Sequence, residues 1–300
     1  MDQIAADAAP AKRTMVFVHG AGHGAWCWYQ VVTMMQAAGF NTVTLDLTSA
    51  GLDRTPADNV MTISQYAKPL TDFLSDRSSS EPKVVLVGHS LGGVSVSYAM
   101  EAHPDKVDKA IFLSALMPQH GETPLEVIGP YFAALLQVGL FKPQQADGSS
   151  SPTSVAVNRT VAPSFFYNQS PAEQINLALS LLDDTPLSVF DEVMTLTPKR
   201  YGSISRYYIL CGMDKTVPFN VQDYFKLSRL ESRTFNFRVS VKSDRWKWLD
   251  FEELMSTDNK SLFTAGIAGT AGQGYRVNGD NKKRALTESR DFIIRVVALP

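Results

Sequence analysis

The sequence predicts an α/β fold with a mainly parallel central sheet and helices on both faces. Two patterns carry that reading. Short runs that are apolar throughout, such as 84–87, alternate with stretches of helical spacing, and several of them end at glycine. Strands covered by helices on both faces need such runs, whereas a half-exposed antiparallel strand alternates apolar and polar side chains. Composition agrees: 300 residues, 44% hydrophobic and 19% charged, supply one large core or a core with an inserted lobe, and exclude wholesale disorder.

Taken in order, residues 15–18 read as a buried strand that stops at Gly20, and 28–38 as a helix that ends at Gly39. A strand follows at 42–47, a helix at 63–74, a strand at 84–87, a helix at 91–102 and a strand at 110–113. From 118 to about 201 the alternation lapses. Residues 144–153 are polar and rich in Gly, Ser and Pro, which suits a surface loop. Residues 175–182 have helical spacing, with Ser170 as N-cap, Pro171 at N1 and Glu173 at N3 of a capping box. This stretch reads as a mostly helical lid, and strand character returns at 207–211. The expected organisation is a flexible N-terminus at 1–13, a core at 14–117 and 202–244, a lid insertion at 118–201, and a divergent tail of low order at 245–300. The tail holds five of the 19 glycines between Gly266 and Gly279, carries 9 Lys/Arg against 7 Asp/Glu, and has one strand-like run at 292–297.

Formal net charge is −2, so no broad basic field draws the chain to nucleic acid or to an anionic membrane. No run approaches the ~18–20 apolar residues of a membrane span. Two cysteines, Cys27 and Cys211, make no disulfide framework and suit a reducing compartment. Residues 1–13 place two acids before the first base and have no apolar centre, unlike a secretory signal or a transit peptide. A cytoplasmic protein without nucleic-acid or membrane partners is the expectation.

Three motifs carry chemistry. Gly88-His89-Ser90-Leu91-Gly92-Gly93 lies between an apolar run and a helix, the setting of a nucleophile elbow. There a serine sits on a strained strand-to-helix turn, small neighbours let other backbone pass close by, and the helix N-terminus faces a developing oxyanion. His19-Gly20-Ala21-Gly22-His23-Gly24-Ala25-Trp26 follows the first strand, where such a fold places its second oxyanion donor. The oxyanion hole is assigned to the backbone N–H groups of Ala21 and Leu91, and His19 and His23 to shaping the loop. No Lys-Ser/Thr follows these glycines, which disfavours a phosphate loop. The third motif, 211–218, puts Asp214 after a late strand; by itself such an acid is more often a turn or cap residue.

With those residues in view, the segments FVHGAGHGAWCWY, LDLTSAGLD, VVLVGHSLGG, IFLSALMP and YYILCGMDKTVP resemble, in order and spacing, the plant methylesterase and hydroxynitrile lyase branch of the α/β-hydrolase superfamily. The resemblance spans 14–244, about four-fifths of the chain. It implies a cofactor-free enzyme hydrolysing small methyl esters of the jasmonate, salicylate or indole-3-acetate class, with Ser90 as nucleophile and Asp214 as orienting acid. The implied partner is a small-molecule ester or acid, and because members are often dimeric the resemblance allows a homodimer. A catalytically silent binder of hormone-like acids is the alternative.

One departure is large. In such enzymes the base is a histidine about 25–30 residues after the acid. The histidines here are His19, His23, His89, His103 and His120, with none later in the chain. Arg245 stands where the resemblance expects the base, and a guanidinium of pKa above about 12 accepts no proton. The similarity stops there, as an altered reading frame, a retained intron or a divergent terminus would each make it stop. His120, after the 116–118 turn, is the candidate substitute base; a solvated loop side chain is the competing reading. Phe132, Leu135, Phe165 and Phe166 either line an apolar pocket or pack the lid. Trp246 and Trp248 read as cover for apolar surface, and 282–284 as a solvated turn.

Overall fold

The computed structural model describes residues 13–222 and the backbone of a strand at Asn236–Val239. The expected tail at 245–300, with Arg245, Trp246, Trp248 and the strand at 292–297, lies outside the described residues. Residues 1–12 and most of the expected core segment 223–244 lie outside them too.

From the N-terminus the chain forms β1 (Thr14–Val18), α1 (Tyr29–Ala37), β2 (Asn41–Leu45), α2 (Ile63–Tyr66), α3 (Lys68–Asp76), β3 (Val84–His89), α4 (Gly92–Ala102) and β4 (Val107–Leu113). The region of the lid follows with α5 (Pro124–Gln137), β5 (Phe141–Gln144), β6 (Ser154–Val157), α6 (Ala162–Phe165), α7 (Ala172–Leu181), β7 (Thr185–Pro186) and α8 (Ser188–Asp191). The chain then returns as β8 (Ser205–Cys211) and β9 (Asn236–Val239).

The main sheet has the order β2-β1-β3-β4-β8-β9, and the pairs from β2 through β8 are parallel. The continuous apolar runs occupy its centre: residues 84–88 of β3 and 110–113 of β4 are buried, whereas edge strand β2 is only half-buried. Full burial of one Val or Leu side chain contributes about 1.5–3 kcal/mol, so the central strands supply much of the driving force that fixes the sheet order. Helix α4 follows the elbow and is buried along most of its length, which explains why it is apolar around most of its circumference.

Three local details differ from the sequence reading. The helix at 63–74 is two, α2 and α3, separated at Ala67. Pro69 has no N–H to continue the bonding ladder, and the chain restarts with Pro69 in the first turn of α3. The capping box at Ser170 does not form; Pro171 is the N-cap of α7 and no side chain caps it. A capping box forms instead at α5, where Thr123 Oγ1 accepts from the Glu126 amide at 3.1 Å and Glu126 Oε2 accepts from the Thr123 amide at 2.7 Å. The lid also carries a three-stranded antiparallel sheet, β5-β6-β7, beside its helices. Its strands are two to four residues long and partly exposed, too short to show a period.

Candidate active site

Ser90 follows β3 with φ of 52°, a left-handed conformation that a non-glycine residue holds only when its surroundings fix it. Its amide donates to Leu113 O at 3.3 Å, and its carbonyl accepts from Leu116 N at 2.9 Å and Gly93 N at 3.1 Å. The flanking glycines make room for this turn. A Cβ on Gly92 would lie 2.4 Å from His19 O, one on Gly93 2.1 Å from Leu116 O, and one on Gly20 2.8 Å from Ser90 Cβ. The last distance shows that the loop after β1 comes directly against the serine.

Around that serine, Ala21 and Leu91 are both buried. Among the described residues neither backbone amide donates to a protein acceptor, and neither does the Ser90 hydroxyl have a partner. Two buried donors left open beside a poised hydroxyl are what a developing oxyanion needs. The geometry therefore brings together Ser90, Ala21 and Leu91 at the carboxyl edge of the sheet.

Asp214 sits on the turn after β8. Oδ1 accepts from the amides of Thr216 at 2.7 Å and Val217 at 2.9 Å, and Oδ2 accepts from the Ser114 hydroxyl at 2.5 Å. Burial raises the carboxyl above its ordinary 3.8, opposed by the Ser114 hydroxyl and the two amides. The lid holds the same turn: Tyr131 O–H donates to Lys215 O at 3.1 Å and Asn168 Nδ2 to Met213 O at 3.0 Å. Ser114 lies in the IFLSALMP segment, but nothing in its spacing ties it to Asp214, and no spacing ties Tyr131 or Asn168 to this turn.

The five histidines have distinct places. His19 is buried; Nδ1 donates to Gly20 O at 2.9 Å and Nε2 accepts from Leu47 N at 3.0 Å, and burial lowers its pKa to about 4. His23 is buried in the same loop and bonds to Ala21 O at 2.8 Å. His89 packs edge-on to Trp28, and burial lowers its pKa to about 3. His103 caps the far end of α4. His120 is exposed, and its Nδ1 accepts from Leu196 N at 3.3 Å. Among the described residues no hydrogen bond links any of the five to Ser90.

Of the four lid hydrophobics, Phe132 and Leu135 are buried and Phe165 and Phe166 partly buried. Phe132 stacks on Phe190 at 5.0 Å and Phe166 meets Phe141 at 5.9 Å, so these two rings pack the lid. Asp46, in the LDL segment, anchors two turns by accepting from Ala25 N at 2.6 Å and Leu52 N at 3.0 Å. Among the described residues no His, Cys, Asp and Glu groups are arranged to hold a metal ion, and no helix is long and apolar enough to cross a membrane.

Residues 15–236 match the alpha/beta hydrolase family. The chain belongs to the α/β-hydrolase family. Within this family, methyl jasmonate esterase 1 of Vitis vinifera is 37% identical over 227 residues, 70% of this chain and 82% of that protein. An Arabidopsis thaliana protein provisionally named methylesterase 15, chloroplastic, is 36% identical over 244 residues, 79% of this chain. The chain spans only 54% of that relative's length. Tomato methylketone synthase I, solved with 2-tridecanone, superposes with a TM-score of 0.69 at 31% identity, covering 76% of this α/β-hydrolase and 89% of that chain. These relatives place the chain in the methylesterase-like branch that its motifs resemble.

Proposed function

We propose that this α/β-hydrolase is a carboxylic ester hydrolase of the methylesterase type, acting slowly on small methyl esters. The observation that carries the reading is Ser90, strained at φ 52°, with Gly20 packed against it and the neighbouring amides of Ala21 and Leu91 without acceptors among the described residues. In this reading Ser90 Oγ attacks the ester carbonyl, and the two amides stabilise the tetrahedral oxyanion as charge moves onto the carbonyl oxygen. The acid portion belongs to the jasmonate, salicylate or indole-3-acetate class; the methyl jasmonate esterase relative supports the first of these.

Turnover is slow because a serine hydroxyl needs a base, and the chain has no histidine after His120. Loss of a triad histidine typically costs on the order of 10⁶ in turnover and leaves about 10³–10⁴ over water from the oxyanion hole and binding. The test is turnover of methyl jasmonate and p-nitrophenyl acetate by the purified 300-residue chain and its Ser90→Ala variant. A rate below ~1 s⁻¹ that falls further in the variant is expected, and a Ser90-dependent rate above ~1 s⁻¹ contradicts the impairment. In that event His120→Ala is the next variant to measure.

The unpartnered Ser90 hydroxyl favours a second reading, a silent binder of hormone-like acids. Calorimetric binding of a free acid without any turnover of its methyl ester distinguishes the binder from the esterase.

A further inference from the structure

The peptide joining Ala21 to Gly22 is held at both ends by side chains. Its carbonyl accepts from His23 Nδ1 at 2.8 Å, and its N–H, that of Gly22, donates to Thr185 Oγ1 at 2.8 Å. One residue on, Gly22 O accepts from Asp183 N at 3.0 Å. Gly22 itself has φ of +73°, and a Cβ there would lie 2.4 Å from Val157 Cγ2. The loop that carries the open Ala21 amide is thus fastened from the lid side by β6, β7 and the turn before β7.

His23 is fixed in turn. Its Nε2 lies 2.8 Å from the Tyr167 hydroxyl, in a buried contact. The ring is stacked on Trp26 and meets Phe166 and Tyr167 edge-on, which leaves it no room to turn over. A carbonyl oxygen only accepts, so Nδ1 must carry the proton toward Ala21 O. In the neutral ring Nε2 is then an acceptor, and Tyr167 O–H is its donor.

We propose that Tyr167 and Thr185, both carried by the lid, are positioning residues for the oxyanion hole. Tyr167 selects the His23 tautomer that holds Ala21 O, and Thr185 holds the other end of the same peptide. The Ala21 N–H belongs to the preceding peptide, whose Gly20 carbonyl accepts from His19 Nδ1 at 2.9 Å and His23 N at 3.3 Å. The lid contacts fix the Ala21 Cα from which that peptide hangs, so the lid helps set the aim of one of the two oxyanion donors. The catalytic consequence rests on the esterase reading; the tautomer and the two contacts do not.

Two measurements test this. The first is ¹⁵N NMR of the imidazoles in the full chain and in Tyr167→Phe. Expected are a fixed Nδ1–H form of His23 with Nε2 accepting, and loss of the hydrogen-bonded Nε2 shift in the variant. An Nε2–H tautomer, or a spectrum unchanged in Tyr167→Phe, overturns the proposal. The second is the kinetics of p-nitrophenyl acetate hydrolysis by Thr185→Val, Thr185→Ser and Tyr167→Phe. A drop of about tenfold in kcat with KM held is expected for Thr185→Val and Tyr167→Phe, with Thr185→Ser near the parent, because oxyanion alignment acts in the transition state. Parent kcat in Thr185→Val, or a loss carried by KM, overturns it. Absence of any turnover in the parent sinks the esterase reading, while the imidazole spectra still decide the geometry.

Discussion

Ser114 donates its hydroxyl to Asp214 Oδ2 at 2.5 Å, tying the end of β4 to the turn after β8 across 100 residues of sequence. Ser114 is itself buried with φ of 44°, and its amide donates to Ile209 O at 3.0 Å. The strained turn aims the hydroxyl at the acid, and a buried carboxylate is tolerated where such donors surround it.

That contact gives a pH dependence with a definite sign. Asp214 is raised above 3.8 because burial outweighs its three donors. The folded chain therefore keeps a proton that the unfolded chain has lost. This contribution to stability is full below 3.8 and declines as pH rises through the raised value. Ser114→Ala should carry the decline to higher pH, and Asp214→Asn should remove it. Urea unfolding across a pH series reads both; identical profiles for the three proteins would count against this assignment.

The buried histidines act in the opposite direction. His19 falls from 6.5 to about 4 and His89 from 6.5 to about 3, both chiefly through burial. Unfolding frees these rings to bind protons, so stability is lost as pH drops below 6.5 and continues to fall toward about 4. His89→Gln should lower the slope of stability against pH by about one proton in that window. An unchanged slope would show that His89 is charged or exposed.

Glycine at the elbow is a matter of space. Gly92→Ala puts Cβ 2.4 Å from His19 O and 2.6 Å from Val18 O, backbone atoms that cannot move without shifting β1. A loss of about 3 kcal/mol or more, or failure to fold, is expected. At Gly202 the nearest atom is 3.5 Å away, so Gly202→Ala should change stability by less than ~1 kcal/mol. Equal effects of the two substitutions would refute the close approach.

Thr123→Ala removes the side-chain half of the α5 capping box. A melting temperature lower by about 2–4 °C is expected, with ester turnover unchanged. Differential scanning calorimetry reads the shift, and its absence would mean that the first turn of α5 contributes nothing to lid stability.

What was legible in the sequence was local. β1, β3, β4 and β8 each contain a run of buried, mostly apolar residues (15–18, 84–87, 110–113 and 207–210) because both of their faces are covered there, and the Ser90 glycines announce a turn that needs close backbone approach. The break at Ala67 escaped because apolar spacing runs on through Pro69. The capping box at Thr123-Pro124-Leu125-Glu126 was readable from spacing alone, yet the competing pattern at Ser170 sat one residue too early for the helix that forms. The supports of the site had no local signal. Ser114 meets Asp214 across 100 residues, Tyr167 meets His23 across 144, and Thr185 meets Gly22 across 163. Such pairs are made by the fold and leave no spacing to read.

In the proposed reading Ser90 stands beside the open amides of Ala21 and Leu91, and among the described residues no base is hydrogen-bonded to its hydroxyl. The rate of covalent labelling by a fluorophosphonate probe, compared with that of an intact serine esterase, tests this most directly. Labelling confined to Ser90, absent in Ser90→Ala and slower by at least about 10³-fold, is expected. Labelling of Ser90 at the rate of the intact enzyme would contradict it.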